Sequence, residues 1–230
     1  MRALSLRTLA MLLPAALALS GPSAGAAERA ALLPAPALDE PAPDTTETVV
    51  LAGGCFWGVQ AVFQHLAGVT RAVSGYAGGN ADTAYYEAVS GGDTGHAESV
   101  QVTFDPAVVS YGTILRVFFS VAHDPTQRDR QGADVGTQYR SAVFAATDTQ
   151  RRVAEAYIAQ LDAAGALPRP VATQLNRLVA FYPAEAYHQD YATTHPDNPY
   201  IAYTDLPKLD ALKRLFPDRY RAEPVLASAN

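Results

Sequence analysis

The sequence predicts a single domain of the α/β (α+β) class, in which the strands of a sheet pack against helices. Two observations lead to this prediction. Segments with the patterning of buried strands alternate with segments of helical periodicity, and no internal repeat interrupts the alternation. The patterned region spans about 180 residues, which suffices for one domain with a substantial core. The pattern leaves the order of the strands open.

The first strand and the first helix flank the only cysteine of the chain. Residues 46–52 form a short apolar segment typical of a buried strand, and two glycines, Gly53 and Gly54, end it. From Trp57 onward, apolar residues recur three and four positions apart, as they do on one face of a helix. Cys55 is therefore predicted to lie in a strand-to-helix turn, at the N-terminus of the helix.

The later elements continue the same alternation. Strict polar–apolar alternation is typical of a strand, and a Ser or Thr ahead of a segment with apolar periodicity is typical of a helix N-terminus. On these criteria we expect a strand at 98–104, a helix capped by Ser110, a strand at 140–145, a helix from Thr147 to near Gly165, a strand from about 173 to 182, and helical turns after Pro183.

The first 26 residues have the layout of a secretory signal peptide. Arg2 and Arg7 precede an apolar run at 9–19, and small residues lead to a cleavage site expected after Ala26. The apolar run is far shorter than the ~20 residues that a membrane span needs. An exported, periplasmic protein is therefore expected. A mitochondrial transit peptide, which also carries Arg and lacks acidic residues, is the weaker alternative.

The segment after the signal peptide differs from the domain in composition. Residues 27–46 are rich in Ala and Pro and show no sustained periodicity, so they are predicted to form a flexible linker. The domain is expected at 47–222, and residues 223–230 are expected to form a C-terminal tail. The net charge of −6 and the lack of Lys/Arg runs argue against nucleic acid or an anionic membrane as a partner.

A single cysteine excludes an internal disulfide, so Cys55 is a free thiol. At a helix N-terminus, unpaired backbone N–H groups lower the pKa of a thiol and favour the reactive thiolate. A small buried side chain beside a core tryptophan is the competing interpretation. Export favours the reactive one, because an idle thiol there risks oxidation. Phe56 and Trp57 either form an apolar slot for a small group such as a methyl or pack in the core.

Five separated motifs extend this local pattern. They are GCFWG at 54–58, GYAGG at 75–79, TGHAE at 94–98, GTQYRS at 136–141 and FYPAEAYHQDY at 181–191. In this order they resemble the peptide methionine sulfoxide reductases of the A type, over a region from Val49 to Tyr220. The resemblance implies a two-layer sandwich of a mixed sheet with flanking helices, ferredoxin-like in character. It also implies reduction of the S epimer of methionine sulfoxide in proteins, and possibly of the free amino acid.

The resemblance also implies roles for individual residues. Cys55 attacks the sulfoxide sulfur, Glu98 donates a proton to the oxygen, Tyr86 and Tyr139 hydrogen-bond to that oxygen, Asp134 orients the site, and Phe56 and Trp57 hold the methyl group. Independently of the resemblance, the alternation places Glu98 on the same face as Val100, Val102 and Phe104. Burial on this apolar face should raise its pKa toward the range useful for a proton donor.

The expected product on Cys55 is a sulfenic acid. Many members of the family carry further cysteines that then close a disulfide, but this chain has none, and it has serine at position 90, which is often cysteine in relatives. Regeneration must therefore come from an external thiol, either a thioredoxin-like protein or a small thiol. No metal or bound organic cofactor is expected, and the protein is expected to be a monomer.

Three alternatives remain open at the level of sequence. A Cys–His acyl transferase or hydrolase could use His96 or His188 as its base. The H-x-E of His96 and Glu98 occurs in zinc deaminases, but the P-C-x-x-C partner of that motif is missing. A module that binds oxidised or unfolded proteins without chemistry is the third, and its binding would survive substitution of Cys55 by serine.

Overall fold

The computed structural model describes residues 30–39 and 45–229. The predicted signal peptide at 1–26 and residues 27–29 and 40–44 of the predicted linker lie outside the described residues. Within the described ranges, no helix combines the length and the apolar character needed to cross a membrane.

The described residues form eight strands and six α-helices. The strands are β1 (Glu47–Gly53), β2 (Val69–Ala77), β3 (Ala97–Phe104), β4 (Arg130–Gln131), β5 (Asp134–Val135), β6 (Ser141–Ala145), β7 (Gln174–Arg177) and β8 (Phe181–Pro183). The helices are α1 (Phe56–Gln64), α2 (Tyr86–Val89), α3 (Tyr111–Val117), α4 (Asp148–Ala163), α5 (Tyr191–Thr194) and α6 (Leu206–Leu215).

Six of the strands form one mixed sheet in the order β7-β6-β1-β3-β2-β8. Its four central strands, β6-β1-β3-β2, pair antiparallel throughout. With α1 between β1 and β2, and with α3 between β3 and β6, this is the order of a ferredoxin-like sheet. β7 extends it in parallel to β6, and β8 extends the opposite edge antiparallel to β2. The predicted α/β class and ferredoxin-like character are therefore confirmed.

One predicted element is wrong. The strand expected from about 173 to 182 is two short strands, β7 and β8, at opposite edges of the sheet. The chain from Arg177 to Phe181 reaches at most about 14 Å, whereas the edges of a flat six-stranded sheet lie about 24 Å apart. The sheet is therefore curled. The chain between β7 and β8 crosses the second face of the sheet, where Leu178 and Phe181 pack. This face is built largely of alanines, which leave room for the two side chains.

The first face of the sheet carries the main core. Val100, Val102 and Phe104 of β3 are fully buried there and pack with the apolar side of α1, including Val62 and Phe63. The expected helix starts are confirmed: the hydroxyl of Ser110 accepts from Thr113 N at the start of α3, and that of Thr147 accepts from Gln150 N at the start of α4.

Part of the predicted linker is packed on the domain, in contrast to the expected flexible segment. Leu33 is buried, Tyr157 Oη donates to Pro34 O at 2.7 Å, and Arg116 Nε donates to Leu33 O at 2.7 Å. The predicted C-terminal tail is also held: the N–H groups of Ala227 and Ser228 donate to one buried carboxylate. Composition misses both contacts because the anchoring groups lie about 40 to 120 residues away in sequence.

Candidate active site

Cys55 is placed by the junction of β1 and α1. Gly54 has a φ of +91°, a conformation that favours glycine, and a Cβ there would lie 2.6 Å from the side chain of Gln131. Cys55 follows as the N-cap residue of α1 and is 9 % exposed. The predicted strand-to-helix turn is confirmed, and its second glycine is required by backbone conformation and by space.

A cavity of about 210 Å³ opens on Cys55. Its walls combine apolar surface with several polar groups, and most of the lining comes from the β4–β5 hairpin and the segment that leads into α6. The lining residues are Cys55, His123, Gln131, Gly132, Ala133, Asp134, Tyr200, Tyr203, Thr204 and Lys208.

Glu98 lies on β3, on the face that packs against α1, and is 3 % exposed. Its Oε2 accepts a hydrogen bond of 3.0 Å from Phe56 N, the first amide of α1. Burial, with smaller contributions from Asp134 and Asp205, raises the pKa of this carboxyl to about 8, against the lowering effect of the Phe56 amide. The predicted direction is confirmed. At neutral pH, Glu98 is mostly a protonated acid beside the thiol.

The expectation for Cys55 itself is wrong. Burial, followed by Glu98 and Asp205, raises the pKa of the thiol well above its ordinary value. The amide of Trp57 and the ammonium of Lys208 act in the opposite direction, but their effects are smaller. A helix N-terminus does favour the thiolate, yet loss of solvation and neighbouring carboxyls outweigh it here. The resting site holds a neutral thiol.

The structure brings Tyr86, Tyr139 and Asp134 to the same place. Tyr86 begins α2 and Tyr139 ends a 3₁₀ turn, and both are half-buried. Burial raises the pKa of each phenol, and Glu98, Cys55 and Asp134 raise each of them further. Both phenols therefore stay protonated and can donate hydrogen bonds. All five residues predicted to be catalytic form one electrostatically coupled cluster.

The two rings after Cys55 have different surroundings. Phe56 is 1 % exposed and packs against Tyr76 and His188. Trp57 is half-buried, stacks on Tyr191 at 4.0 Å between ring centroids, and donates from Nε1 to His188 Nδ1 at 3.2 Å. Neither ring belongs to the lining of the 210 Å³ cavity. A methyl slot between them stays a prediction.

The histidines do not form a Cys–His pair with the nucleophile. Both ring nitrogens of His96 are used structurally: Nδ1 accepts from Gly79 N, and Nε2 contacts Asn80 O at 2.9 Å. His188 Nδ1 accepts from Trp57, and burial lowers its pKa. Within the described residues, no three His, Cys, Asp or Glu side chains are grouped as a metal site requires.

Sequence reasoning missed three residues at this site. Tyr200 donates from its hydroxyl to Asp134 Oδ2 at 2.5 Å, which fixes the carboxylate in the cavity wall. Asp205 and Lys208 form a buried ion pair beside α1. Asp205 and Lys208 carry opposite charges three residues apart, with the apolar Leu206 and Pro207 between them. This spacing was the sequence signal that could have identified the ion pair. The sequence did not indicate where this pair, about 150 residues after Cys55, lies in the fold.

The fold and the site define a cysteine-dependent enzyme whose buried thiol lies near a protonated carboxyl group and two protonated phenols. A model of the family described as Peptide methionine sulfoxide reductase matches residues 47–220. The chain belongs to this family.

Relatives and solved structures agree with that assignment. The chain is 57 % identical over 189 residues to Peptide methionine sulfoxide reductase MsrA 2 of Mesorhizobium japonicum, covering 82 % of this chain and 97 % of that one. It is 51 % identical over 170 residues to Peptide methionine sulfoxide reductase MsrA of Thermus thermophilus, covering 74 % and 95 %.

Two solved structures resemble the fold. Reduced Mxr1 from Saccharomyces cerevisiae superimposes with a TM-score of 0.60 at 32 % identity, covering 70 % of this chain and 92 % of that one. Methionine sulfoxide reductase A of Corynebacterium diphtheriae gives 0.57 at 35 % identity, covering 67 % and 77 %.

Proposed function

We propose that this protein reduces the S epimer of methionine sulfoxide in proteins to methionine, with Cys55 as nucleophile. The observation that carries the proposal is a buried carboxylic acid with a pKa of about 8, hydrogen-bonded to the first amide of the helix that Cys55 caps. Sulfoxide reduction needs a sulfur nucleophile and an acid that is still protonated at neutral pH. Cys55 and Glu98 supply them.

The reaction begins with attack of the Cys55 sulfur on the sulfoxide sulfur, and the thiol proton of Cys55 replaces the proton that Glu98 gives up. Glu98 protonates the sulfoxide oxygen, while Tyr86 and Tyr139 donate hydrogen bonds to it. The S–O bond of the substrate breaks as the S–S bond to Cys55 forms, and the released hydroxide then adds to the Cys55 sulfur. This addition breaks the S–S bond and leaves a sulfenic acid on Cys55 and the thioether of methionine. Thiol and sulfoxide become sulfenic acid and thioether. The cysteine sulfur loses two electrons, the methionine sulfur gains two, and no net proton is taken up.

Asp134 and the aromatic pair orient the substrate in this proposal. Asp134 lies in the cavity wall, held by Tyr200, where it can accept a hydrogen bond from a substrate amide. Trp57 is fixed by stacking and by its hydrogen bond to His188, so its ring can present a rigid apolar edge to the methyl group. Phe56 supports this edge from the core.

The sulfenic acid is reduced by an external thiol. Cys55 is the only cysteine of the chain, so the second sulfur must come from another molecule. Its attack forms a mixed disulfide with Cys55 and releases water, and a second thiol then frees Cys55. A thioredoxin-like protein supplies both thiols in one partner, and we expect it to support turnover of a monomeric enzyme. Export by the predicted signal peptide would place the activity on oxidised envelope proteins.

Single turnover without reductant tests the proposal. The protein lacking residues 1–26 is mixed with excess S-sulfoxide of N-acetylmethionine amide, and Cys55 is trapped with a sulfenic-acid probe. About one thioether per chain with Cys55 labelled is expected. Cys55→Ser and the R-sulfoxide are the controls and should give none. Absence of thioether from the folded protein would refute the proposal.

The reductant and the location have separate tests. A thioredoxin with its reductase should convert the single turnover into continuous turnover, and failure with every dithiol protein tried would leave a small thiol as reductant. Mass analysis of the N-terminus after expression in a Gram-negative host should give a chain starting at Ala27 in the periplasmic fraction. An intact Met1 in the cytoplasm would contradict export.

A further inference from the structure

A buried ion pair lies against the helix that carries the nucleophile. Lys208 Nζ is 3.0 Å from Asp205 Oδ1, and the two side chains are 7 % and 0 % exposed. Asp205 ends the π-helical turn Ile201–Asp205, and Lys208 lies in the first turn of α6. The roles proposed above for the catalytic residues leave both charges unused.

Gly58 shows how closely the pair approaches α1. A Cβ at this position would lie 2.0 Å from Asp205 Oδ1 and 2.6 Å from Lys208 Nζ. The last glycine of the GCFWG motif therefore makes room for the carboxylate and the ammonium. The pair thus contacts the first turn of α1, three residues after Cys55, and Lys208 also lines the cavity that opens on the thiol.

The pair is poorly arranged if its purpose is stability. Asp205 Oδ2 is buried and has no hydrogen-bond partner among the described residues. A buried ion pair with unsatisfied atoms is commonly no more stable than an apolar replacement. Burial raises the pKa of Asp205, and the ammonium of Lys208 opposes this rise. In its ionised form, a carboxylate held in this way interacts strongly with nearby charge, because little water screens it. The role that this arrangement supports best is an electrostatic effect of Asp205 on the thiol of Cys55.

Two other ionisable groups near Cys55 are mostly uncharged at neutral pH. Glu98 is mostly protonated, and burial lowers the pKa of His123 to about 3, so this imidazole is neutral. Asp134 is hydrogen-bonded by Tyr200. The phenols are protonated, and Lys208 is the only Lys or Arg in the cavity lining. The groups that face Cys55 are thus Glu98, Asp134, Asp205, Lys208, His123, Tyr86, Tyr139 and Tyr200.

We propose that Asp205, paired with Lys208, is a positioning residue that holds Cys55 as a neutral thiol in the free enzyme. A negative charge beside the sulfur opposes formation of a second one. Burial and Glu98 also disfavour the thiolate, and Asp205 is the next contributor after them. A neutral thiol reacts slowly with peroxides and electrophiles. This protection matters in a chain with one cysteine, which cannot shelter an oxidised sulfur in an internal disulfide.

The test is the alkylation of Cys55 by iodoacetamide as a function of pH, without substrate, followed by mass spectrometry. Asp205→Asn should alkylate about tenfold faster at pH 7.5, with a midpoint about one pH unit lower. The double variant Asp205→Asn/Lys208→Gln should lie between it and the native protein, because it also removes the opposing cation. It leaves no unpaired buried charge and provides the same test if Asp205→Asn alone does not fold.

Asp190→Asn is the matched control, since Asp190 is buried at the far end of α1, where it binds Gln64. It should alkylate within twofold of the native rate. Folded Asp205 variants that alkylate at the native rate or slower would overturn the proposal. The inference rests on Cys55 as the proposed nucleophile. Alkylation needs no sulfoxide turnover, however, so its failure and the failure of the single-turnover experiment are distinguishable.

Discussion

Two buried carboxyl groups in this molecule have opposite pKa shifts. Glu98 and Asp190 are each 3 % exposed. For Asp190, burial acts to raise the pKa, but hydrogen bonds from Ala227, Ser228 and Gln64 lower it below its ordinary value. Glu98 receives one amide, that of Phe56, and its pKa rises to about 8.

The comparison shows that hydrogen-bond donors and depth together decide whether a buried acid keeps its proton, since Glu98 lies deeper than Asp190 and receives fewer donors. Asp190 ties α1 to the C-terminal residues and is satisfied as an anion. Glu98 lacks such donors and lies among other acids, so the fold keeps it protonated. Asp190 stabilises the fold, whereas Glu98 carries the proton that the proposed mechanism uses.

The largest expected effect separates these two roles by activity. Glu98→Gln keeps an oxygen that can accept from Phe56 N but removes the acidic proton. We expect the single-turnover rate to fall about 10²- to 10³-fold, the usual contribution of a general acid. Asp190→Asn should change that rate less than threefold. Rapid-quench measurement of thioether formation checks both, and a Glu98→Gln rate within tenfold of native would remove Glu98 as the proton donor.

The second expected effect distinguishes the two carboxyl groups by how the free energy of unfolding depends on pH. The pKa of Glu98 is raised above that of an unfolded Glu, about 4.3. Its contribution to stability is therefore complete below pH ~4.3 and is lost as pH rises toward 8. Glu98→Gln does not titrate. From pH 5 to pH 8, its free energy of unfolding should gain on that of the native protein by on the order of 3 kcal/mol. Urea titrations at three pH values measure this gain, and a constant difference would contradict the raised pKa.

The sequence predicted the nucleophile's turn and the face of Glu98 because both depend on local periodicity. Apolar spacing from Trp57 onward predicts α1, and strict alternation in β3 predicts which side Glu98 occupies. Both survive because the same residues make the core contacts. The A-type family motifs also identified the cluster of Cys55, Glu98 and the two tyrosines.

Features that depend on distant residues were not predictable in this way. The segment at 173–182 reads as one strand, since local pattern carries no information on which edge of a sheet each half joins. The sign of the Cys55 pKa shift failed for a related reason. The helix N-terminus is local, whereas Glu98 and Asp205 reach the thiol through tertiary contacts. The hydrogen bonds that hold Asp190 span up to 130 residues.

A third expected effect concerns Asp190 alone, the carboxylate that stabilises the fold. Asp190→Asn removes the anion that accepts from Gln64 and two backbone amides, and we expect a loss of about 1–3 kcal/mol in the free energy of unfolding at pH 7. The lowered pKa of Asp190 means that its contribution is present above the unfolded pKa, about 3.9, and is lost as pH falls through the folded value. The deficit should be the same at pH 5 and pH 8, unlike that of Glu98→Gln. A deficit that changes over this range would break the comparison.

The smallest expected effect extends the comparison to two classes of tyrosine. Tyr86 and Tyr139 lie in the cluster with Glu98, whereas Tyr157 donates to Pro34 O and holds the N-terminal segment. Replacing Tyr86 or Tyr139 by Phe removes one hydrogen bond to the developing hydroxyl, worth about 1 kcal/mol, and should slow single turnover about fivefold. The double variant should lose less than the product, because both phenols serve one oxygen.

Tyr157→Phe is the matched control for these variants. It should leave the rate within twofold and lower the free energy of unfolding by about 1 kcal/mol, since it leaves the carbonyl of Pro34 without its donor. Full activity in both site variants would mean that Glu98 protonates the oxygen without help from the phenols. The raised pKa of the phenols would then have no role in the reaction, and Tyr86 and Tyr139 would be structural residues.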